Sequence, residues 1–177
     1  MDPETAGGIR LLCLDVDGVL TDGRLVFDNS GNELKRFHVR DGLGIKLWIE
    51  AGHEVAIISS RSSEAVTRRA GELGISHVHQ GCTDKLVALE SVCAATGVAP
   101  AQAAAMGDDL PDLPVLNAVA MPIAVSDAAP EVRDAAAWIT TTPGGHGAVR
   151  EAIERLLSSQ GCWDELLTRW QTVRQEG

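Results

Sequence analysis

An apolar run that stops on two acids constrains this chain more than any other feature: Leu11, Leu12, Cys13 and Leu14 lead directly into Asp15-Val16-Asp17-Gly18. A continuous apolar run bounded in this way predicts a buried strand over 9–14, covered on both faces, with its chemistry at the carboxyl end. Side chains alternate along a strand, but where the strand gives way to a loop, carboxylates at i and i+2 are free to converge on one point. Such a pair suits a hard divalent cation bound through oxygen, with one acid left to attack or to carry a proton. The plainer alternative is a pair of helix-capping acids in an ordinary βα turn.

The rest of the chain repeats the strand-then-helix pattern. Apolar runs predict further strands at 54–59, 77–80, 102–106, 120–125 and 138–140. Helices are predicted at 41–51, 63–73, 84–96, 110–117, 128–135 and 147–159, several closed by glycine. Residues 102–106 are mostly alanine and helical by propensity, yet their place before Gly107-Asp108-Asp109 predicts a strand. One departure interrupts the alternation: the runs 24–27 and 33–39 flank Asp28-Asn29-Ser30-Gly31 and predict a β-hairpin just after the acidic pair. Repeated βα units give an α/β fold, a doubly wound parallel sheet with a hairpin flap and no inserted cap domain, in one domain over 9–160. Residues 1–8 are expected to be disordered, and 161–177 to form a helical or flexible tail with Trp163, Leu166, Leu167 and Trp170 on one stripe.

Charge excludes one class of partner. The formal net charge is −10 and no basic cluster exceeds Arg68-Arg69, so no nucleic-acid surface is expected. No run approaches the roughly 18 apolar residues of a membrane span, and four cysteines without Cys-x-x-Cys spacing read as free thiols of a cytoplasmic protein. The five histidines lack metal-ligand spacing.

In a doubly wound sheet, functional groups collect beyond the carboxyl ends of the strands. Asp15 and Asp17 follow the first predicted strand, Ser59, Ser60 and Arg61 the second, Lys85 lies beyond the third, and Asp108, Asp109 and Asp112 follow the fourth. Carboxylates for a cation, a hydroxyl, a cation and flexible glycines together suit phosphoryl transfer.

This ordered set resembles the four motifs of the haloacid dehalogenase superfamily of phosphotransferases: Asp-x-Asp-Gly, an apolar run ending in Ser or Thr, a Lys, and Gly-Asp-Asp. More narrowly, the stretches at 15–23, 37–45, 57–61, 80–85 and 144–151 are similar to the capless branch of 3-deoxy-D-manno-octulosonate 8-phosphate phosphatases. The resemblance implies Mg²⁺-dependent hydrolysis of a sugar-acid phosphate in lipopolysaccharide precursor synthesis, by a homo-oligomer, a tetramer in this branch. It implies Asp15 as nucleophile, Asp17 as proton shuttle, Ser59 and Lys85 on the phosphoryl group, and Mg²⁺ on Asp15, the Asp17 carbonyl and Asp108. Asp109 and Asp112 would support the metal ligands. Substrate contacts are expected from Gly18, Ser60, Arg61, Arg69 and Arg40, with Ser60 standing where Gly is more usual. Two other readings compete: a receiver-type phosphoacceptor module, whose acceptor Asp follows a middle strand, and a noncatalytic tetramerising domain, which has no need of mutually repelling carboxylates. Within the enzyme class, the competitor is a phosphatase for another nonulosonate phosphate or for sugar phosphates broadly.

Overall fold

Six parallel strands make the centre of the computed structural model, which describes residues 3–172. The short helix α1 (Pro3–Gly8) precedes β1 (Leu11–Leu14), whose four residues are all buried, as an apolar run covered on both faces should be. The other strands of the sheet are β4 (Glu54–Ile58), β5 (His77–His79), β6 (Ala103–Gly107), β7 (Met121–Ala124) and β8 (Trp138–Ile139), in the spatial order β5-β4-β1-β6-β7-β8. Alanine-rich β6 is a strand because it fills the slot between β1 and β7, where Ala103 pairs with Leu11 and Ala104 with Met121. Ladder bonding and burial on both faces outweigh helix propensity there.

From β1 the chain winds outward through β4 to β5, then returns to the other side of β1 at β6. That reversal opens a crevice between β1 and β6 at their carboxyl ends, the place where ligands bind in open α/β sheets. Helices α2 (Val39–Glu50), α3 (Glu64–Leu73), α4 (Lys85–Thr96), α5 (Leu113–Leu116), α6 (Pro130–Ala135), α7 (Ala148–Ser159) and α8 (Trp163–Thr172) complete the layers. No helix among the described residues is long and apolar enough to cross a membrane, and all four cysteines are unpaired.

Two expectations need correction. Residues 1–8 were expected to be disordered; of these, Pro3–Gly8 form α1, which packs against α7 with Ala6 fully buried, and residues 1–2 lie outside the described residues. The hairpin is shorter than the pattern predicts: β2 (Val26–Phe27) and β3 (Glu33–Leu34) pair antiparallel, and the second arm leaves the ladder after Leu34 instead of running on to Val39. Phe37 packs on the core, and Val39 already opens α2. Asp28 closes the turn by accepting hydrogen bonds from the backbone N–H of Ser30 and Asn32. Of the tail, Trp163–Thr172 form α8, which lies on its own fold: Leu166 is buried, Arg150 stacks on Trp163 and Arg169 donates to Glu50 at 2.8 Å, while residues 173–177 lie outside the described residues.

Candidate active site

The apolar strand ends where Asp15 turns into a single distorted turn over Val16–Leu20, in which Asp17 and Gly18 leave helical geometry. Gly18 has φ +98, and a Cβ there would stand 2.0 Å from Asp108 Oδ2, so only glycine lets the loop after β1 meet the loop after β6. A second glycine holds this loop from behind: a Cβ on Gly144 would lie 1.6 Å from the Gly18 carbonyl oxygen, and the neighbouring Gly145 N–H donates to Val19. The Gly144 loop is fixed in turn by α7, whose N-terminal turn receives its cap from elsewhere. Asp41 of α2, almost fully buried, accepts from the Arg150 N–H at 2.8 Å.

These loops enclose a cleft of about 280 Å³ over the crevice between β1 and β6. Lys85, the first residue of α4, reaches its floor, because Asp84 caps the helix by accepting from Leu86 and Val87. There the Lys85 ammonium donates to Asp15 Oδ1 at 2.7 Å and to Asp112 Oδ1 at 2.6 Å, and all three residues are buried. Asp112 Oδ2 is occupied as well, accepting from the backbone N–H of Asp108 and Asp109. Ser59 follows β4 on the opposite wall, buried, its Oγ accepting from the Arg61 N–H at 3.4 Å.

One lysine serves two carboxylates, and a third acid faces them. Asp15, Asp108 and Asp112 each present an oxygen within 4.8 Å of the others. Burial and then Asp112 push the Asp15 carboxyl up to about 6 against the pull of Lys85. Burial, Asp15, Asp112 and Asp109 push Asp108 up to about 8. Burial works against the Lys85 charge, but its two carboxylates outweigh it and raise its pKa. The acids are therefore under-compensated by protein cations, and oxygen donors with surplus negative charge fit a hard divalent ion such as Mg²⁺.

The cleft gathers Asp15, Asp17, Ser59, Ser60, Arg61, Lys85, Asp108, Asp109 and Asp112 as the sequence predicts. Some roles shift. Asp112, expected to support the metal ligands, stands in the carboxylate cluster itself, because Lys85 draws it beside Asp15. Asp109 caps the 3-10 turn Leu110–Asp112 through the Leu110 N–H. The Asp17 carboxylate turns from the cluster toward Arg61 and Lys35. Gly18 is not among the residues that line the cleft; its missing side chain leaves room for Asp108.

Two expected substrate residues lie outside the cleft. Arg69 pairs with Glu72 at 3.2 Å and lines an internal cavity beside His38 and Asp41, since α3 aims it at Gly42 of α2. Arg40 borders a separate groove with Thr141, His146 and Arg150. Sequence reasoning missed Lys35 and Asp41. The alternation Glu33-Leu34-Lys35, with both charges on one face of a strand, was the available signal for the first; for the second, nothing local marks a cap that serves another helix.

A buried aspartate directly after the first strand, a lysine across from it, a hydroxyl after the next strand and an acidic cluster after β6 match the motif order of a haloacid dehalogenase-like hydrolase. The haloacid dehalogenase-like hydrolase family profile matches residues 77–153. The chain is 46% identical over 160 residues to the 3-deoxy-D-manno-octulosonate 8-phosphate phosphatase KdsC of Escherichia coli K12, covering 90% of this chain and 85% of that one. The enzyme of that name from Moraxella catarrhalis, solved with magnesium, phosphate and KDO, superposes with a TM-score of 0.93 at 41% identity, covering 95% of this chain and 97% of its own. The cobalt-bound Haemophilus influenzae phosphatase superposes with a TM-score of 0.87 at 41% identity over 90% of this chain and 93% of that chain. The chain belongs to the family of 3-deoxy-D-manno-octulosonate 8-phosphate phosphatases.

Proposed function

We propose that this protein hydrolyses 3-deoxy-D-manno-octulosonate 8-phosphate to the free sugar acid and inorganic phosphate, with Mg²⁺, by way of an aspartyl-phosphate on Asp15. The observation that carries the reading is the buried Asp15 carboxylate, lodged between Lys85 and the acids Asp108 and Asp112 at the floor of a cleft that Asp17 and Arg61 also line. Pushed up only to about 6, Asp15 is mainly ionised at neutral pH and able to attack. Its free oxygen forms a bond to phosphorus while the bond from phosphorus to the sugar oxygen breaks, and Asp17 gives its proton to that departing oxygen. Water then attacks the aspartyl-phosphate, Asp17 takes back a proton, and the Asp15 to phosphorus bond breaks to release phosphate.

Ser59 and Lys85 bind the phosphoryl oxygens, Lys85 as a compact positive charge. Asp15 and Asp108 would hold the divalent ion, with Asp112 beside them; when bound, it supplies positive charge that offsets the repulsion between an anionic nucleophile and an anionic phosphate. Arg61, its side chain 45% exposed at the cleft mouth, suits the sugar carboxylate through its planar fork. We also propose that the hairpin is a subunit interface of a homo-oligomer, a tetramer as the family resemblance implies. Leu25, Val26, Phe27 and Leu34 are all more than 40% exposed there, an apolar patch out of place on a solvated flap. Four unpaired cysteines support a cytoplasmic site of action.

Phosphate release from a panel of sugar phosphates, including other nonulosonate phosphates, tests the substrate. The octulosonate ester should lead the panel, and only with Mg²⁺ present. Asp15→Asn should reduce turnover to background while leaving the thermal melt near that of the parent. Equal rates across the panel, or an active Asp15→Asn enzyme, would overturn the assignment.

A further inference from the structure

The hairpin carries a contradiction that the four motifs leave unexplained. Its apolar side chains are exposed, whereas the Lys35 side chain is only 3% exposed. An ammonium tolerates such burial only when paired and hydrogen-bonded, and the partners here belong to the cleft. Lys35 Nζ donates to Asp17 Oδ1 and lies 3.4 Å from Glu33 Oε1. The same Glu33 oxygen accepts from Arg61 Nη2 at 2.6 Å, and Arg61 Nε stands 3.5 Å from Asp17 Oδ2. Four charges alternate in sign around a closed ring, two from the hairpin and two from the catalytic loops.

The ring makes the two oxygens of Asp17 unequal. Oδ1 is engaged by the ammonium, so a proton placed there would displace a charge-assisted hydrogen bond. Oδ2 is buried and accepts no hydrogen bond among the described residues. Oδ2, with Arg61 Nε 3.5 Å away, is the oxygen left free of a hydrogen bond, and the rotation of the carboxylate is set by Lys35.

We infer that Lys35 is a positioning residue for proton delivery: it anchors Asp17 by one oxygen so that the other serves the departing sugar oxygen. The inference rests on the reading of Asp17 as proton donor given above. Lys35 acts through Asp17, which predicts a dependence on the leaving group. A sugar alkoxide is strongly basic and must be protonated as it departs, while p-nitrophenolate leaves without that help. The value of kcat/KM covers the steps through formation of the aspartyl-phosphate, so it isolates this proton transfer from the later hydrolysis.

The experiment measures kcat/KM for an alkyl phosphate that lacks a carboxylate, so that Arg61 binding drops out, and for p-nitrophenyl phosphate in the parent enzyme, Lys35→Met, Lys35→Gln and Asp17→Asn. Both Lys35 variants and Asp17→Asn should lower the ratio of the two values by about tenfold or more, within the range general acid catalysis supplies. Because both substrates are assayed on one preparation, partial misfolding cancels from the ratio. A lowered ratio in Asp17→Asn with an unchanged ratio in both Lys35 variants would overturn the role of Lys35 alone. An unchanged ratio in all three would overturn the reading of Asp17 as well.

Discussion

Removing and restoring the divalent ion should expose the strain in the carboxylate cluster as a pH effect. Without the ion, the Asp108 carboxyl sits at about 8 and Asp15 at about 6, both raised first by burial and then by neighbouring acids. A carboxylate must be ionised to bind a metal, so binding releases protons. At pH 7, a group with a pKa of about 8 is ionised in roughly one molecule in ten, and Mg²⁺ binding has to expel almost one proton from Asp108. The apparent affinity should therefore rise close to tenfold per pH unit between about pH 6.5 and 7.5, or ~1.4 kcal/mol per unit. It should steepen below about pH 6, where Asp15 also carries a proton, and level off above about pH 8. Both folded-state values lie above the ordinary 3.8, so the stability these acids contribute is fully present below that pH and is lost as pH rises through about 6 and about 8. Chelated protein should melt at progressively lower temperature as pH rises across this interval, and saturating Mg²⁺ should remove the decline. Titration calorimetry in two buffers of different ionisation enthalpy counts the protons directly. An Mg²⁺ affinity that is flat across the interval, with no proton released, would refute both the cluster as metal site and the charge argument behind it.

Replacing Lys85 by Met should strand the buried carboxylates of Asp15 and Asp112, costing about 3–5 kcal/mol of stability because the partners of a buried ion pair are left uncompensated. Chemical denaturation checks the loss, and phosphate release should fall with it. Gly144→Ala places a Cβ where the Gly18 carbonyl oxygen already stands, so the loop after β1 must move. We expect kcat to fall about a hundredfold, the scale of a 1 Å misplacement of catalytic groups, with retained helical circular dichroism showing that the sheet survives. Phe27→Glu should shift the protein toward a smaller species in sedimentation velocity, because it puts a charge into the exposed apolar patch of the hairpin; an unchanged sedimentation coefficient would remove the hairpin from the interface.

The candidate site residues were legible as a group because each follows an apolar run, and the parallel sheet converts that one-dimensional rule into convergence: Asp15, Ser59 and Asp108 line one cleft since β4, β1 and β6 are neighbours. The alanine run of β6 was legible only through its position before Gly107-Asp108-Asp109, since its own propensity points the other way. Distances across the fold were not legible. Arg69 follows Arg61 by eight residues, yet the direction in which α3 crosses α2 carries it to Gly42 and away from the cleft. Asp41 escaped for the same reason, because its partner is the start of α7, 109 residues along the chain; Lys35 is defined by Asp17, 18 residues back, which the hairpin folds over. The order in α1 rests likewise on α7, a segment some 140 residues away.

The seating of Gly144 and Gly145 against residues 18–22 bears on when in its life the protein becomes an enzyme. Every motif residue is already present once the ribosome has passed Asp112, but the brace behind the nucleophile loop arrives only with the chain beyond Gly144 and the helix that Asp41 caps. A nascent chain arrested between those points holds the full set of reactive groups without the backing that aligns them. A chain arrested between Asp112 and Gly144 should therefore release no phosphate, and one extended through α7 should.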